Sequence, residues 1–171
     1  MSLAPVFAPN ARLLILGSWP SPKSWEMGFY YGHPQNRFWP LLARLCGCEA
    51  PARLDIPSKR ALIERHGLAL WDTLASCTIT GASDVSIRDA VPNDIPALCR
   101  RLPIERVVCN GAAAARIYEK YAQAASGIPA VRLPSTSPAN AAWSLDRLAE
   151  AWGAALGPYL APGPDGAGEG A

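Results

Sequence analysis

The sequence predicts a three-layer α/β/α sandwich built on a central four-stranded parallel sheet. Three observations predict it. Four short apolar runs, Arg12–Leu16, Ala69–Trp71, Arg106–Cys109 and Ala130–Leu133, are rich in Leu, Ile and Val and lack polar alternation. Strands covered by helices on both faces have that pattern. Helical patterns separate the runs. The 171 residues are 50% hydrophobic and 18% charged, a balance that lets one domain bury its core without disulfide or metal staples.

The elements follow in chain order. The first strand, Arg12–Leu16, runs into Gly17-Ser18-Trp19-Pro20-Ser21-Pro22, where Gly and Pro force a turn and bring backbone N–H groups close to any ligand. The loop Gly28–Trp39 is strongly aromatic for a surface segment and also holds His33, Asn36 and Arg37. Either it packs on the core or it walls a pocket for a planar ligand, since a base stacked on an aromatic ring gains roughly 1–3 kcal/mol. Asn36 reads equally as a pocket amide or as the N-cap of the next helix. His33 reads as a pocket donor or as a structural polar group.

That helix, Arg37–Cys46, sets Phe38, Leu41, Leu42 and Leu45 on one face. The helix Lys59–His66 ends at Gly67, suited to a left-handed cap. After the strand Ala69–Trp71, the segment Asp72–Asn93 reads as a connection, and Asn93 as the cap of a helix over Asp94–Arg101. The strand Arg106–Cys109 leads through Asn110-Gly111 into an alanine-rich helix over Ala112–Ala125. The last strand, Ala130–Leu133, is followed by Pro134-Ser135-Thr136-Ser137-Pro138-Ala139-Asn140. Its hydroxyls and backbone donors suit phosphate oxygens, although capping residues also fill ordinary strand-to-helix connections. Ser144 caps the final helix, Leu145–Leu156, whose Leu148, Ala149 and Trp152 share a stripe. Residues 1–156 form the domain, and the Gly/Pro-rich residues 157–171 read as a frayed tail.

Composition excludes several classes. No apolar run reaches the roughly 18–20 residues of a membrane span, and no basic region precedes an apolar stretch at the N-terminus. The five cysteines fit reduced thiols in a cytoplasmic protein. Cys46-Gly-Cys48 offers half a metal site, and Cys77, Cys99 and Cys109 are scattered, so neither a metal nor a cofactor is expected. There is no phosphate-binding G-x-x-x-x-G-K-[ST], no G-x-G-x-x-G after the first strand and no G-x-S-x-G. The net charge of +2 becomes +4 over residues 1–156, which carry 16 basic against 12 acidic side chains. That rules out broad coating of nucleic acid but leaves room for a local basic patch.

In open α/β sheets ligands bind outside the carboxyl ends of the strands, and the unusual segments lie there. Gly17-Ser18-Trp19-Pro20-Ser21, the string Gly28–Trp39 and Leu133–Asn140 resemble the uracil-DNA glycosylase superfamily over about Leu13 to Trp152. The loop Ser83–Asp94 and the Ser135–Asn140 ending are most similar to its hypoxanthine (deoxyinosine) branch, with the mismatch-specific uracil enzymes also close. The resemblance implies a monofunctional DNA glycosylase acting as a monomer on DNA that holds a deaminated base.

It also implies the site. Asn36 would take over the catalytic work, orienting water near the sugar or base. Tyr31, with Tyr30 second, would stack on the base. Gly17, Ser18, Trp19, His33 and Asn110 would complete the base pocket. Ser21, Ser135, Thr136 and Ser137 would grip DNA, and Pro138, Ala139 and Asn140 would probe the gap left by a flipped nucleotide. Two positions depart from the family. Trp19 stands where most branches place a water-handling Asp or Asn, and Leu133 where many place a His or Asn that supports the departing base. Two other functions therefore stay open: a damaged-DNA-binding module without catalysis, and a hydrolase of free nucleosides or nucleotides.

Overall fold

The computed structural model describes residues 3–48, 55–79 and 87–161. A short edge strand β1 (Val6–Phe7) precedes β2 (Leu13–Gly17). Then come α1 (Pro22–Met27), α2 (Phe38–Leu45), α3 (Ile56–Arg65) and β3 (Leu68–Asp72). A hairpin, β4 (Leu74–Ile79) and β5 (Ile87–Pro92), leads to α4 (Ile95–Arg101) and β6 (Arg106–Asn110). The chain closes with α5 (Ala112–Tyr121), α6 (Gln123–Ser126), β7 (Ala130–Leu133), α7 (Leu145–Leu156) and a 3-10 turn, Gly157–Tyr159.

The four expected strands form the parallel sheet, in the order β3-β2-β6-β7. The sheet has five strands rather than four, because β1 adds antiparallel to β3 with Val6 opposite Leu70. Two residues are too few to carry a period-2 pattern, so this edge left no trace in the sequence. Alternation along β2 builds both cores. Leu13 and Ile15 face one side with Phe38, Leu42, Ile63, Leu148 and Trp152, from α2, α3 and α7. Leu14 and Leu16 face the other with Leu98, Ala114 and Tyr118, from α4 and α5. Every one of these four β2 side chains is fully buried.

Several local expectations are corrected. The Gly17–Pro22 turn continues into α1, because Ser21 caps it and Pro22 occupies its first turn, where a missing N–H costs nothing. The segment Asp72–Asn93 holds the β4–β5 hairpin instead of a plain connection. Asp94, not Asn93, caps α4 by accepting from the Ala97 N–H; the Asn93 amide donates to the Asp72 carbonyl. The alanine-rich helix breaks at Ala122 into α5 and α6. Residues 157–161 are part of the fold, not tail: Pro158 lies within the 3-10 turn Gly157–Tyr159 and Ala161 N–H donates to the His66 carbonyl at 2.8 Å. The rest of the expected tail, and residues 83–86 of the Ser83–Asp94 string, lie outside the described residues. Among the described residues no helix is long and apolar enough to cross a membrane.

Candidate active site at the carboxyl ends of the strands

Gly17, Asp72 and Asn110 are the last residues of β2, β3 and β6, and the segment after β7 closes over them. Together they border a cavity of about 260 Å³. The sheet brings to it most of the residues that the sequence singles out. Ser18, Trp19 and Ser21 border it from the first turn, and Tyr30, Tyr31, His33 and Asn36 from the aromatic loop. Ser135, Thr136, Ser137 and Pro138 border it from the last loop. Ala139 and Asn140 line a wider groove of about 780 Å³ beside it, together with Trp19, Arg132 and Trp143.

The first turn is held by Thr73, whose hydroxyl donates to the Gly17 and Ser18 carbonyls at 3.0 and 2.9 Å. The glycine is required by its neighbours. A Cβ at position 17 would fall 2.4 Å from Asp72 Oδ1 and 2.9 Å from Tyr31 Oη. Gly17→Ala is therefore expected to fill the cavity floor and to cost about 1–3 kcal/mol as an overpacked site. Thermal melts on the variant check this, and an unchanged melting temperature would contradict the packing.

Aromatic packing shapes the loop before α2. Phe29 stacks on Trp39, and the Trp39 indole donates to the Tyr30 carbonyl at 2.8 Å. The Tyr30 ring is 2% exposed and its hydroxyl donates to the Leu3 and Ala4 carbonyls. Tyr30 is thus a core residue that touches the cavity edge, which removes it as a stacking platform. Tyr31 takes a left-handed backbone (φ 53°) and stacks on Phe38 with ring centroids 4.2 Å apart. Its buried hydroxyl has no hydrogen-bond partner among the described residues. Backbone strain at a non-glycine persists where the surroundings over-determine it, as at ligand sites. His33 is exposed and accepts the Gln35 N–H on Nδ1 at 3.1 Å. In the neutral ring this leaves Nε2–H as the donor.

Asn36 is the centre of a relay. Its Oδ1 accepts from the Phe38 N–H at 2.9 Å and from the Thr136 hydroxyl at 2.8 Å. Thr136 in turn accepts from Asn110 Nδ2 at 3.0 Å and donates its N–H to Asn110 Oδ1 at 3.0 Å. One correction follows. Thr136 is fully buried, so it ties the loops together and cannot touch a phosphate. Asn110 ties its oxygen and one Nδ2 proton to Thr136, and its second Nδ2 proton is what it has left for the cavity it lines. Asn36 borders the cavity and its oxygen also stabilises the start of α2, while Arg37 stands at the cap position itself and makes no side-chain cap.

Arg37 lies in the aromatic string, but its task there is not announced by the sequence, because its partners are backbone carbonyls about 100 residues away. Its guanidinium forks into the last loop, donating to the carbonyls of Ser137 at 2.9 Å, Asn140 at 3.0 Å and Trp143, and more weakly to Thr136 at 3.4 Å. Ser135 and Ser137 use their oxygens locally, accepting from the N–H groups of Ser137 and Ala139, so each hydroxyl proton remains available to an acceptor. Ser21 Oγ is likewise engaged as the cap of α1, accepting from the Ser24 N–H. The Asn140 amide donates to the Ser135 carbonyl and stiffens the loop that carries it.

Asp72 is a residue the sequence did not single out. It is 4% exposed at the cavity floor, and burial pushes its carboxyl up to about 7. The run Leu68-Ala69-Leu70-Trp71-Asp72 reads as a strand leaving the core, and a strand-end Asp ordinarily faces water.

Comparison with known proteins fits this geometry. The model of the uracil DNA glycosylase superfamily matches residues 4–155. A hypoxanthine DNA glycosylase of Methanosarcina acetivorans is 33% identical over 145 residues, covering 85% of this chain and 90% of that protein. A hypoxanthine DNA glycosylase of Methanosarcina barkeri is 33% identical over 108 residues, 63% of this chain and 68% of that one. The solution NMR structure of a uracil DNA glycosylase candidate from Methanosarcina acetivorans superposes with a TM-score of 0.76 at 31% identity, covering 90% of this chain and 93% of that one.

Proposed function

The chain belongs to the uracil DNA glycosylase superfamily, and from that premise we propose that it is a DNA glycosylase of base excision repair. It flips a deaminated base out of DNA, hypoxanthine before uracil, and hydrolyses the N-glycosidic bond to leave an abasic site. The observation that carries the reading is the hydrogen bonding of Asn36. With its oxygen already bonded to Phe38 N–H and Thr136 Oγ, the polar capacity left to this cavity-lining amide is the Nδ2 donor.

This refines the part Asn36 plays. An amide whose acceptor is occupied cannot take a proton from water; it can only donate. Cleavage of the bond leaves a cation-like sugar and an electron-rich base. A fixed donor is worth most where charge develops in the transition state. Asn36 Nδ2 therefore stabilises the departing base, and water adds to the sugar carbon without a strong base. Tyr31, backed by Phe38, supplies the flat wall on which the base stacks. Flipping costs a few kcal/mol, and less at a poorly paired lesion, which favours inosine and uracil pairs. Ser135, Ser137 and the Pro138–Asn140 tip hold the flanking backbone and the gap. The basic excess of residues 1–156 needs to meet only a few phosphates.

One assay separates this reading from its competitors. Oligonucleotides carrying deoxyinosine, deoxyuridine, deoxyxanthosine or mismatched thymine are incubated with the protein and then treated with alkali. Strand breaks at deoxyinosine and deoxyuridine are expected. Binding without breaks would instead identify a damage-binding module, and hydrolysis of free inosine with intact oligonucleotides would identify a nucleoside hydrolase.

A further inference from the structure

Asp72 has a place in the cavity that the mechanism above does not use. Asp72 is the register partner of Gly17 at the carboxyl ends of β2 and β3, its carboxyl fills the space a Cβ at position 17 would need, and the partnerless Tyr31 hydroxyl lies against the same point. The groups that face it are Tyr31 and Tyr30 from the aromatic loop, Gly17 from β2 and Asn110 from β6. No lysine, arginine or histidine forms an ion pair with it among the described residues. A carboxylate this buried and without a cation is costly, so the group keeps its proton. A neutral carboxyl differs from a carboxylate in one respect that matters: it has an O–H to donate.

We propose that Asp72 is a second catalytic residue, whose carboxyl O–H donates to the carbonyl oxygen of the departing base, O6 of hypoxanthine or O4 of uracil. The inference rests on the glycosylase reading. The C1′–N bond breaks with its electron pair passing to the base, and the charge spreads to that carbonyl oxygen. Water oxygen bonds to C1′, and one water proton completes the free base, directly or through Asp72, which then gives its own proton and regains the water's. A carboxylic acid kept neutral by its surroundings serves elsewhere as an oxyanion donor in this way. The same O–H favours a carbonyl over an amino group at that position, so it selects deaminated bases over adenine and cytosine.

The test is single-turnover excision of deoxyinosine and deoxyuridine between pH 5.5 and 9 by the wild-type protein, Asp72→Asn and Asp72→Ala. The wild-type rate is expected to be flat below about pH 7 and to fall about tenfold per pH unit above it, as the carboxyl ionises. Asp72→Asn keeps a donor of the same shape that cannot ionise. It should retain the rate within about tenfold and lose the alkaline fall, whereas any titration of the substrate itself would persist. Asp72→Ala should lose about 100-fold at pH 6.

A fold-level reading is independent of activity. The stability that the raised Asp72 carboxyl contributes is fully present below about pH 4 and is lost as pH rises toward about 7. The difference in melting temperature between Asp72→Asn and wild type should therefore grow across that window. A wild-type rate that rises through pH 7, or Asp72→Asn as impaired as Asp72→Ala, would overturn the proposal, as would an Asp72→Ala protein of full activity. No excision by the wild type at any pH would overturn the glycosylase reading itself; excision without the Asp72 signature overturns only this inference.

Discussion

Asn36→Asp should all but abolish base excision while the protein stays folded. The substituted carboxylate keeps an oxygen where Oδ1 accepts from Phe38 N–H and Thr136 Oγ, and Asp is as good as Asn at a helix start. What it loses is the Nδ2 donor, and what it adds is negative charge beside a base that is leaving with electrons. Removing one donor from a site of this kind typically costs about 10²–10³ in rate, and the added charge works in the same direction. Single-turnover excision of deoxyinosine, with circular dichroism to confirm folding, gives the result. Asn36→Ala should lose as much rate and also some stability, because the oxygen that holds α2 and Thr136 goes with it. If Asn36→Asp excised at the wild-type rate, the donor role would be wrong and the residue would be only a helix-start and loop tie.

Arg37→Ala should have the largest effect on the loop that meets DNA. The residues from Pro134 to Trp143 contain no helix or strand, and one guanidinium gathers the carbonyls of Ser137, Asn140 and Trp143. Hydrogen bonds to a charged group are worth about 1.5–3 kcal/mol each and do not add fully. A loss of about 3 kcal/mol, or roughly 10 °C in Tm, is expected. Affinity for DNA with an abasic-site analogue should fall at least tenfold, since Ser135, Ser137 and the Pro138–Asn140 tip lose their frame. Arg37→Lys should not restore it, because a point charge cannot fork to three carbonyls. Calorimetry and fluorescence anisotropy measure the two effects. A variant with wild-type affinity and Tm would show that the loop holds its shape through Asn140 and Ser135 alone.

Much of this was legible in the residues. The unbroken apolar runs marked all four parallel strands, and the rule that α/β sheets bind ligands at their carboxyl ends placed the site. The Tyr30–Tyr31 pair was legible as aromatic but not as divided. Tyr30 turns into the core, while Tyr31, with a left-handed backbone, stacks on Phe38 beside the cavity, and no periodicity announces that. The α1 helix was hidden by Pro20 and Pro22, which read as a turn although Pro22 sits where a helix tolerates it best.

The sequence by itself determined which segments would meet: the Gly17 turn, the aromatic loop with Asn36, and the hydroxyl-rich loop after the last strand. Apolar patterning and turn chemistry are local properties, and they suffice to set elements and their order. Only the tertiary structure decided what each polar side chain does there. The bond from Thr136 to Asn36 spans 100 residues of chain, and that from Asn110 to Thr136 spans 26. Whether an amide offers its oxygen or its protons, whether a threonine faces DNA or the core, and whether Asp72 keeps its proton all depend on which distant groups satisfy or desolvate it. Burial and hydrogen-bond satisfaction are properties of the packed molecule, so the site's location was written in the sequence and its chemistry in the fold.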